Sequence, residues 1–200
     1  MNTYIYENNI SITPILCREI IELFEGEKIK NRGVTIGGYQ PNIKDTTDFN
    51  IPKCDDETSN WFKIEKFLYK ELNTNLLKYI KQINCPKYNK ENNNGIDGSI
   101  FLDTELKVYS FMIQKYLKNE GKYTYHNDFA INQSKNHRVI TYIWYLNTVT
   151  EGGETEFWDS FKIKPTAGKL VLFPSTWTFH HRGLKPISDD KYIITGWFYI

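Results

Sequence analysis

The sequence lacks the features that would place it in several specialised classes of protein. Its three cysteines, Cys17, Cys54 and Cys85, are widely spaced and form no C-x-x-C pair, which argues against a disulfide framework and against a zinc site. No apolar run reaches the length of a membrane span, and the first residues lack the charged-then-apolar profile of a secretory signal. We therefore expect reduced cysteines in a cytoplasmic protein that has no membrane partner.

The charge shows no excess of one sign. The 200 residues include 25 Lys and Arg and 24 Asp and Glu, so the formal net charge is +1. Because nucleic-acid binding usually calls for a basic face, this balance disfavours a nucleic acid as partner and leaves peptide, protein or small-molecule substrates. A hydrophobic content of 40% is enough for one core, so we expect residues 1–200 to form a single domain. No oligomeric state is predicted.

The hydrophobic spacing divides the chain into a helical part and a strand-rich part. Thr13 followed by Pro14 is a good helix entry, and the apolar stripe that follows ends near Gly26. A second, longer helix is predicted to begin after Ser59 and to end before Pro86. From about residue 100 the period becomes that of strands, which are predicted over 108–116, 123–128, 138–146, 154–158, 169–173, 177–181 and 192–199.

This order of elements predicts a mainly β fold of the α+β class. We expect a double-stranded β-helix, or jelly roll, whose N-terminal helices pack on one sheet. Residues 1–100 would form a helical and loop support region, and residues 101–200 would form the core that carries the chemistry.

The tripeptide His126-Asn127-Asp128 carries the strongest chemical signal. On an extended strand, positions 126 and 128 point to the same face, so an imidazole and a carboxylate can reach one ion without backbone distortion. A second imidazole follows far downstream at His180 or His181. Two histidines and one carboxylate form the arrangement of non-heme Fe(II) oxygenases, which leaves coordination positions open. An H-x-D tripeptide alone arises often by chance, and the alternative is a strand histidine beside a surface carboxylate.

The second half of the chain resembles the catalytic core of the 2-oxoglutarate/Fe(II)-dependent dioxygenases, and specifically their prolyl 4-hydroxylase-like branch. The resemblance extends from Tyr116 to Trp197, whereas the first half matches only in its general helical layout. The matching stretches are 121–128, 138–147, 151–157, 165–174 and 181–186, together with Lys191 and Trp197.

By this resemblance, His126, Asp128 and His181 would be the iron ligands. His181 begins the H-x-G…P pattern of the family and stands ten residues before Lys191, which is the usual relation. Because neighbours on a strand point to opposite faces, His180 is assigned to the other face.

The resemblance also implies that Lys191 binds the far carboxylate of 2-oxoglutarate. A buried cation in a strand needs an anion, because an unpaired charge there is costly. Many relatives use the fork of an arginine, whereas lysine offers a single ammonium, so hydroxyl groups should complete the site. Tyr145 is the first candidate, Tyr116 the second and Thr195 a weaker third; core packing is the alternative for both tyrosines. Trp197 is expected to lie in the core beneath the site.

The implied activity is that of an enzyme that uses Fe(II), 2-oxoglutarate and dioxygen, with ascorbate as an optional reductant. It would hydroxylate an unactivated C–H bond, by analogy that of a prolyl residue in a peptide or protein, and release succinate and CO₂. Two alternatives stay open: a dioxygenase acting on a free amino acid, another side chain or a nucleobase, and a non-enzymatic jelly-roll binding or virion module.

The segments 27–58 and 87–104 lack strong periodicity, so we expect them to border the site mouth and to order on substrate binding.

Overall fold

The computed structural model describes residues 4–83, 106–132 and 135–200. Within these ranges the chain forms two helices, α1 (Pro14–Gly26) and α2 (Asn60–Ile83), and two antiparallel sheets. The major sheet has eight strands, which are β1 (Tyr6–Asn8), β2 (Asn31–Arg32), β4 (Thr47–Asn50), β5 (Lys107–Val108), β6 (Met112–Tyr116), β8 (Arg138–Tyr145), β11 (Leu170–Pro174) and β13 (Lys191–Tyr199). The minor sheet has five, which are β3 (Lys44–Asp45), β7 (Lys122–His126), β9 (Thr155–Phe157), β10 (Phe161–Ile163) and β12 (His181–Gly183).

Both helices begin where the sequence predicts. The Thr13 hydroxyl accepts a hydrogen bond from the backbone N–H of Leu16 at 3.2 Å, and Pro14 occupies the first helical position. Helix α1 ends at Gly26 as predicted, and α2 starts at Asn60, directly after Ser59. The predicted end of α2 before Pro86 lies outside the described residues.

The helices cover the outer face of the major sheet, and the minor sheet faces its inner side. Strand β8 shows this most clearly because successive strand residues point to opposite faces. Tyr142 and Trp144 pack in the core shared with the helices. Ile143 and Tyr145 pack in the core shared with Phe157 of the minor sheet. The predicted mainly β architecture with two N-terminal helices is confirmed, and its designation as a jelly roll stays a prediction.

Strand β7 ends at His126, so the predicted strand over 123–128 is two residues too long. The Asn127 side chain accepts a hydrogen bond from the backbone N–H of Phe129 at 3.1 Å, an Asx turn that competes with strand pairing. Asp128 therefore lies just beyond the strand. The prediction that His126 and Asp128 lie on one face of the same strand is wrong, because only His126 belongs to the strand.

The strand boundary at the second histidine also differs from the prediction. Strand β12 begins at His181, so His180 precedes the strand instead of lying within it. The chain turns just before this point, because the backbone N–H of Phe179 donates to the carbonyl of Thr176 at 3.0 Å. The observed strand therefore lies closer to the C-terminus than the predicted strand over 177–181.

The predicted strand over 108–116 is broken in two, as β5 and β6. Both pieces pair with β13, and the gap faces Gly196. There the Tyr142 hydroxyl donates to the carbonyl of Ser110 at 2.9 Å. A Cβ at Gly196 would lie 2.1 Å from the Tyr142 hydroxyl oxygen, so this crossing needs a glycine.

Strands β1 and β10 were not predicted from the sequence. The segment 27–58, expected to be irregular or short-stranded, contributes the short strands β2, β3 and β4. Of the cysteines, Cys17 is buried in α1 and Cys54 is a free thiol, whereas Cys85 and the segment 87–104 lie outside the described residues. None of the described helices is both long enough and apolar enough to cross a membrane. The single domain over residues 1–200 stays a prediction.

Candidate active site

Two paired strands of the minor sheet bring the two predicted histidine ligands together. His126 ends β7 and His181 begins β12, and they face each other in the antiparallel register. Asp128 follows two residues after His126. One ligand atom from each of the three residues lies within 4.8 Å of the others. The His126 and His181 Nε2 atoms are 3.8 and 3.6 Å from the Asp128 carboxylate oxygens, too far for good hydrogen bonds.

Backbone carbonyls orient both imidazole rings. His126 Nδ1 lies 2.8 Å from the carbonyl oxygen of Thr124, and His181 Nδ1 lies 3.0 Å from that of Phe179. A carbonyl oxygen can only accept, so each Nδ1 carries a proton and donates it, and each Nε2 faces Asp128. Burial and the nearby His181 lower the pKa of His126 to about 4, which keeps its ring neutral at neutral pH. His126 Nε2 is therefore free to bind a metal, and His181 Nε2 faces the same carboxylate.

The carboxylate is prepared in the same way. Asp128 is buried, and its Oδ2 accepts a hydrogen bond from the Thr141 hydroxyl at 2.8 Å. Thr141 Oγ1 lies 2.8 Å from the Ser175 hydroxyl, which fixes its position. Burial alone would raise the pKa of Asp128, but the two histidines and the Thr141 hydroxyl outweigh it and lower the pKa below its usual value. Asp128 is therefore ionised at neutral pH.

These three residues fit a divalent iron. Two imidazole nitrogens and one carboxylate oxygen form the facial donor set of non-heme Fe(II) sites. Hydrogen bonds to the protein hold the other nitrogen of each ring and the Asp128 carboxylate in place. The structure places His180 outside this group, because its side chain is exposed whereas that of His181 is buried. The predicted triad of His126, Asp128 and His181 is thus found as one cluster.

Lys191 lies on the major sheet and is 1% exposed. Its ammonium donates to the carbonyl of Gly153 at 2.9 Å and lies 4.0 Å from the centre of the Tyr116 ring. Among the described residues it has no carboxylate in ion-pair distance. Burial lowers the pKa of Lys191 to about 7, against a small opposing effect of Glu154. An anion entering beside this ammonium would supply the missing partner.

The three predicted hydroxyl donors have different surroundings. The Tyr116 hydroxyl lines the cavity and donates to Gln114 Oε1 at 3.1 Å. The Tyr145 hydroxyl donates to Thr155 Oγ1 at 2.6 Å. Thr155 lines the cavity, whereas Tyr145 does not. Thr195 lines the cavity and donates to the carbonyl of Tyr142 at 3.0 Å. Tyr116 and Thr195 therefore reach the cavity directly, whereas Tyr145 stands behind Thr155.

A cavity of about 330 Å³ joins the triad to Lys191. Trp197, which was expected beneath the site, is instead part of the wall of this cavity. The guanidinium of Arg138 stacks over the Trp197 ring at 3.5 Å, and the buried indole N–H of Trp197 has no hydrogen-bond partner in the described part of the chain. Part of the segment 27–58 also lines the cavity, through residues 34–36. Its predicted ordering on substrate binding stays a prediction.

Sequence reasoning missed three polar residues in the cavity wall. Lys44 and Asp48 form a buried ion pair at 2.6 Å, and Gln114 lies beside them. No pattern in the sequence marks Lys44 and Asp48, because residues 44–48 are all polar and show no alternation with apolar residues.

The comparison with protein families concerns the part of the chain that carries this site. Residues 111–199 match the model described as the 2OG-Fe(II) oxygenase superfamily. This part of the chain belongs to that superfamily. The matched range holds the triad, Lys191 and every predicted hydroxyl donor, and the enzyme class is that of a 2-oxoglutarate-dependent dioxygenase. No match was found among the curated proteins.

Solved structures of three prolyl hydroxylases are similar in fold to this chain. A Trichoplax adhaerens prolyl hydroxylase in complex with a hypoxia inducible factor peptide fragment has a TM-score of 0.70 at 20% identity, covering 99% of this chain and 84% of its own. A Pseudomonas putida prolyl-4-hydroxylase has a TM-score of 0.67 at 17% identity, covering 98% and 92%. The viral collagen prolyl hydroxylase of Paramecium bursaria Chlorella virus-1, as a 2OG complex, has a TM-score of 0.64 at 19% identity, covering 98% and 96%.

Proposed function

We propose that this 2OG-Fe(II) oxygenase hydroxylates a prolyl residue in a peptide or protein, with Fe(II) held by His126, Asp128 and His181. The observation that carries the proposal is the buried ammonium of Lys191, which lies on the same cavity as the triad and has no carboxylate partner among the described residues. A metal cluster alone could bind many ligands. A metal cluster and a buried unpaired cation on one cavity fit a bifunctional anion such as 2-oxoglutarate.

In this proposal, each sheet binds one end of the cosubstrate. The triad of the minor sheet would hold the metal that the 2-oxo acid chelates, and Lys191 of the major sheet would receive the far carboxylate. Burial raises the pKa of Tyr116 and of Tyr145, so both hydroxyls stay protonated at neutral pH. Tyr116 and Thr195 would contact the cosubstrate, with Tyr145 acting through Thr155. Bound Fe(II) and 2-oxoglutarate supply the oxidising chemistry with dioxygen, and the protein supplies orientation and exclusion of side reactions.

A peptide substrate is supported by a free donor group on the cavity wall. Arg138 lines the cavity, donates through Nε to the Tyr199 hydroxyl at 3.3 Å and forms no ion pair within the described residues, so its outer nitrogens can serve a ligand. Peptide carbonyl oxygens are acceptors that match these nitrogens. A free amino acid would also offer acceptors to Arg138, so that alternative is decided by experiment.

The experiment is to incubate the iron-loaded protein with 2-oxoglutarate, ascorbate and a panel of proline-rich peptides. We expect mass spectrometry to show the addition of one oxygen to a peptide, and no addition with the His181→Ala variant. If 2-oxoglutarate were turned over with free amino acids or nucleobases and not with the peptides, the prolyl substrate would be wrong and one of these small molecules would be the substrate. Failure of the folded protein to bind iron and 2-oxoglutarate stoichiometrically would favour a binding module instead.

A further inference from the structure

The chain changes sheets within five residues, from Lys44 to Asp48. Lys44 belongs to β3 of the minor sheet, where it pairs with Tyr123 of β7. Asp48 belongs to β4 of the major sheet, where it pairs with Gln114 of β6. Thr46 stands between the two strands and marks the corner. The two sheets that carry the metal triad and Lys191 are therefore joined here by one short stretch of backbone.

A buried ion pair closes this corner. Lys44 Nζ lies 2.6 Å from Asp48 Oδ2, and the Thr46 hydroxyl donates to Asp48 Oδ1 at 2.7 Å. Lys44 is 4% exposed and Asp48 8%. We call these three residues, Lys44, Thr46 and Asp48, the corner clasp. Replacing a buried ion pair by apolar residues is often neutral for stability, so stability alone is a weak reason for charges at the wall of a cavity.

Each end of the corner clasp reaches one half of the site. The Lys44 ammonium lies 5.6 Å from the centre of the Tyr123 ring, and that ring stacks on His126 with centroids 3.5 Å apart and planes inclined by 13°. Asp48 Oδ2 lies 3.5 Å from Gln114 Nε2, a long contact. Gln114 Oε1 in turn accepts the hydrogen bond from the Tyr116 hydroxyl, whose ring covers the Lys191 ammonium.

We propose that the corner clasp is a positioning device that holds the metal-binding sheet at the distance from Lys191 that 2-oxoglutarate spans. The inference rests on the proposed function, because it concerns the binding of the same cosubstrate. A molecule chelated on one sheet and paired on the other is sensitive to the spacing between the sheets. The metal by itself depends on the local geometry of the triad. Two hydrogen bonds also join the two halves of the site: Thr141 of β8 donates to Asp128, on the metal side, and Tyr145 of β8 donates to Thr155 of β9.

The proposal predicts a separation between metal affinity and cosubstrate affinity. In a Lys44→Met/Asp48→Leu double variant, the charges are removed together, so no unpaired charge is left buried. We expect affinity for Mn(II), which binds the same donor set without turnover, to change much less than affinity for 2-oxoglutarate, because all three metal ligands are retained. We expect affinity of the Mn(II)-loaded protein for 2-oxoglutarate to fall about tenfold to a hundredfold, because the altered spacing would weaken the hydrogen bond from the Lys191 ammonium to the far carboxylate. Titration calorimetry measures both quantities, and thermal unfolding checks that the double variant is folded.

A control removes another lysine–carboxylate pair, one that does not line the cavity. Lys169, directly before β11, and Glu7 of β1 pair at 3.2 Å. Lys169→Met/Glu7→Leu is expected to bind both Mn(II) and 2-oxoglutarate as the unaltered protein does. If the control variant lost 2-oxoglutarate binding to the same degree, the effect would be general and the positioning role would fall.

A second variant keeps the proposal testable if the double variant does not fold. Gln114→Met retains volume and both charges of the corner clasp, but it removes the acceptor of the Tyr116 hydroxyl. We again expect weaker 2-oxoglutarate binding with unchanged Mn(II) binding. Unaltered 2-oxoglutarate affinity in Gln114→Met, or in a folded double variant, would overturn the proposal. If the unaltered Mn(II)-loaded protein did not bind 2-oxoglutarate, the proposed function itself would be contradicted, and with it the positioning role of the corner clasp.

Discussion

Replacing Lys191 by Met should weaken 2-oxoglutarate binding and remove its pH dependence above neutrality. Met has nearly the length of Lys and is apolar, so it suits a position that is 1% exposed. The variant keeps the triad intact and should bind the metal normally. What it removes is the ammonium that we assign to the far carboxylate of the cosubstrate.

The magnitude follows from the burial of the charge. Losing one partner of a buried charge pair typically costs about 3–5 kcal/mol, or roughly two to three decades of affinity at about 1.4 kcal/mol per decade. The pH dependence follows from the pKa of Lys191, which burial lowers to about 7 in the absence of a ligand. Below that pH the ammonium is already charged. Above it, binding an anion must take up a proton, so affinity should fall by about tenfold per pH unit and by about 25-fold between pH 6.5 and 8.5.

The assay is a calorimetric titration of 2-oxoglutarate into the Mn(II)-loaded protein at pH 6.5, 7.5 and 8.5. Repeating it in buffers of different ionisation enthalpy counts the protons taken up, which should approach about one at the highest pH. The pKa of His126, about 4, lies far below this range, so its ring does not titrate in it. A pH-independent affinity in the unaltered protein, or an unaltered affinity in Lys191→Met, would refute the assignment.

Three further predictions concern the metal site and the core. His181→Ala should abolish Mn(II) binding by calorimetry, whereas His180→Ala should retain it; the reverse pattern would contradict the assignment of the ligand. Thr141→Val removes the hydroxyl that orients Asp128, and a competing chelator should report metal affinity lower by about 10–100-fold, with no change counting against that role. Leu172→Ala, in the core between the major sheet and the helices, should lower the free energy of unfolding by about 2–5 kcal/mol in urea, and a smaller loss would indicate that the site collapses around the change.

The layers of the fold could be predicted because helices and strands have different hydrophobic periods. Thr13 and Ser59, both predicted as caps, directly precede the two helices, and the Thr13 hydroxyl accepts the capping hydrogen bond. The ends of the strands were harder to predict. Polar side chains can bond backbone groups that would otherwise pair between strands, and hydrophobic periodicity does not show this competition. Asn127 ends β7 by bonding the backbone two residues on. The strand that was expected to carry Asp128 therefore stops before it.

The cluster of the three candidate ligands could be predicted from H-x-D and H-x-G spacing, although the strand argument that supported the spacing was wrong. The placement survives because the turn after His126 still directs Asp128 toward His181. Lys44 and Asp48 could not be found by motif, since two charges four residues apart in a polar segment usually face solvent. Only the pairing of β3 and β4 with different sheets turns them into a buried pair.

The proposed prolyl hydroxylase would divide one molecule of dioxygen between 2-oxoglutarate and a prolyl peptide. The most direct measurement is turnover under isotopically heavy dioxygen, with mass spectrometry of both products. We predict one heavy oxygen atom in succinate and one in the peptide, in equal amounts, with no labelling in the Asp128→Ala variant. Absence of heavy oxygen from both products, in protein that has bound iron and 2-oxoglutarate, would contradict the account.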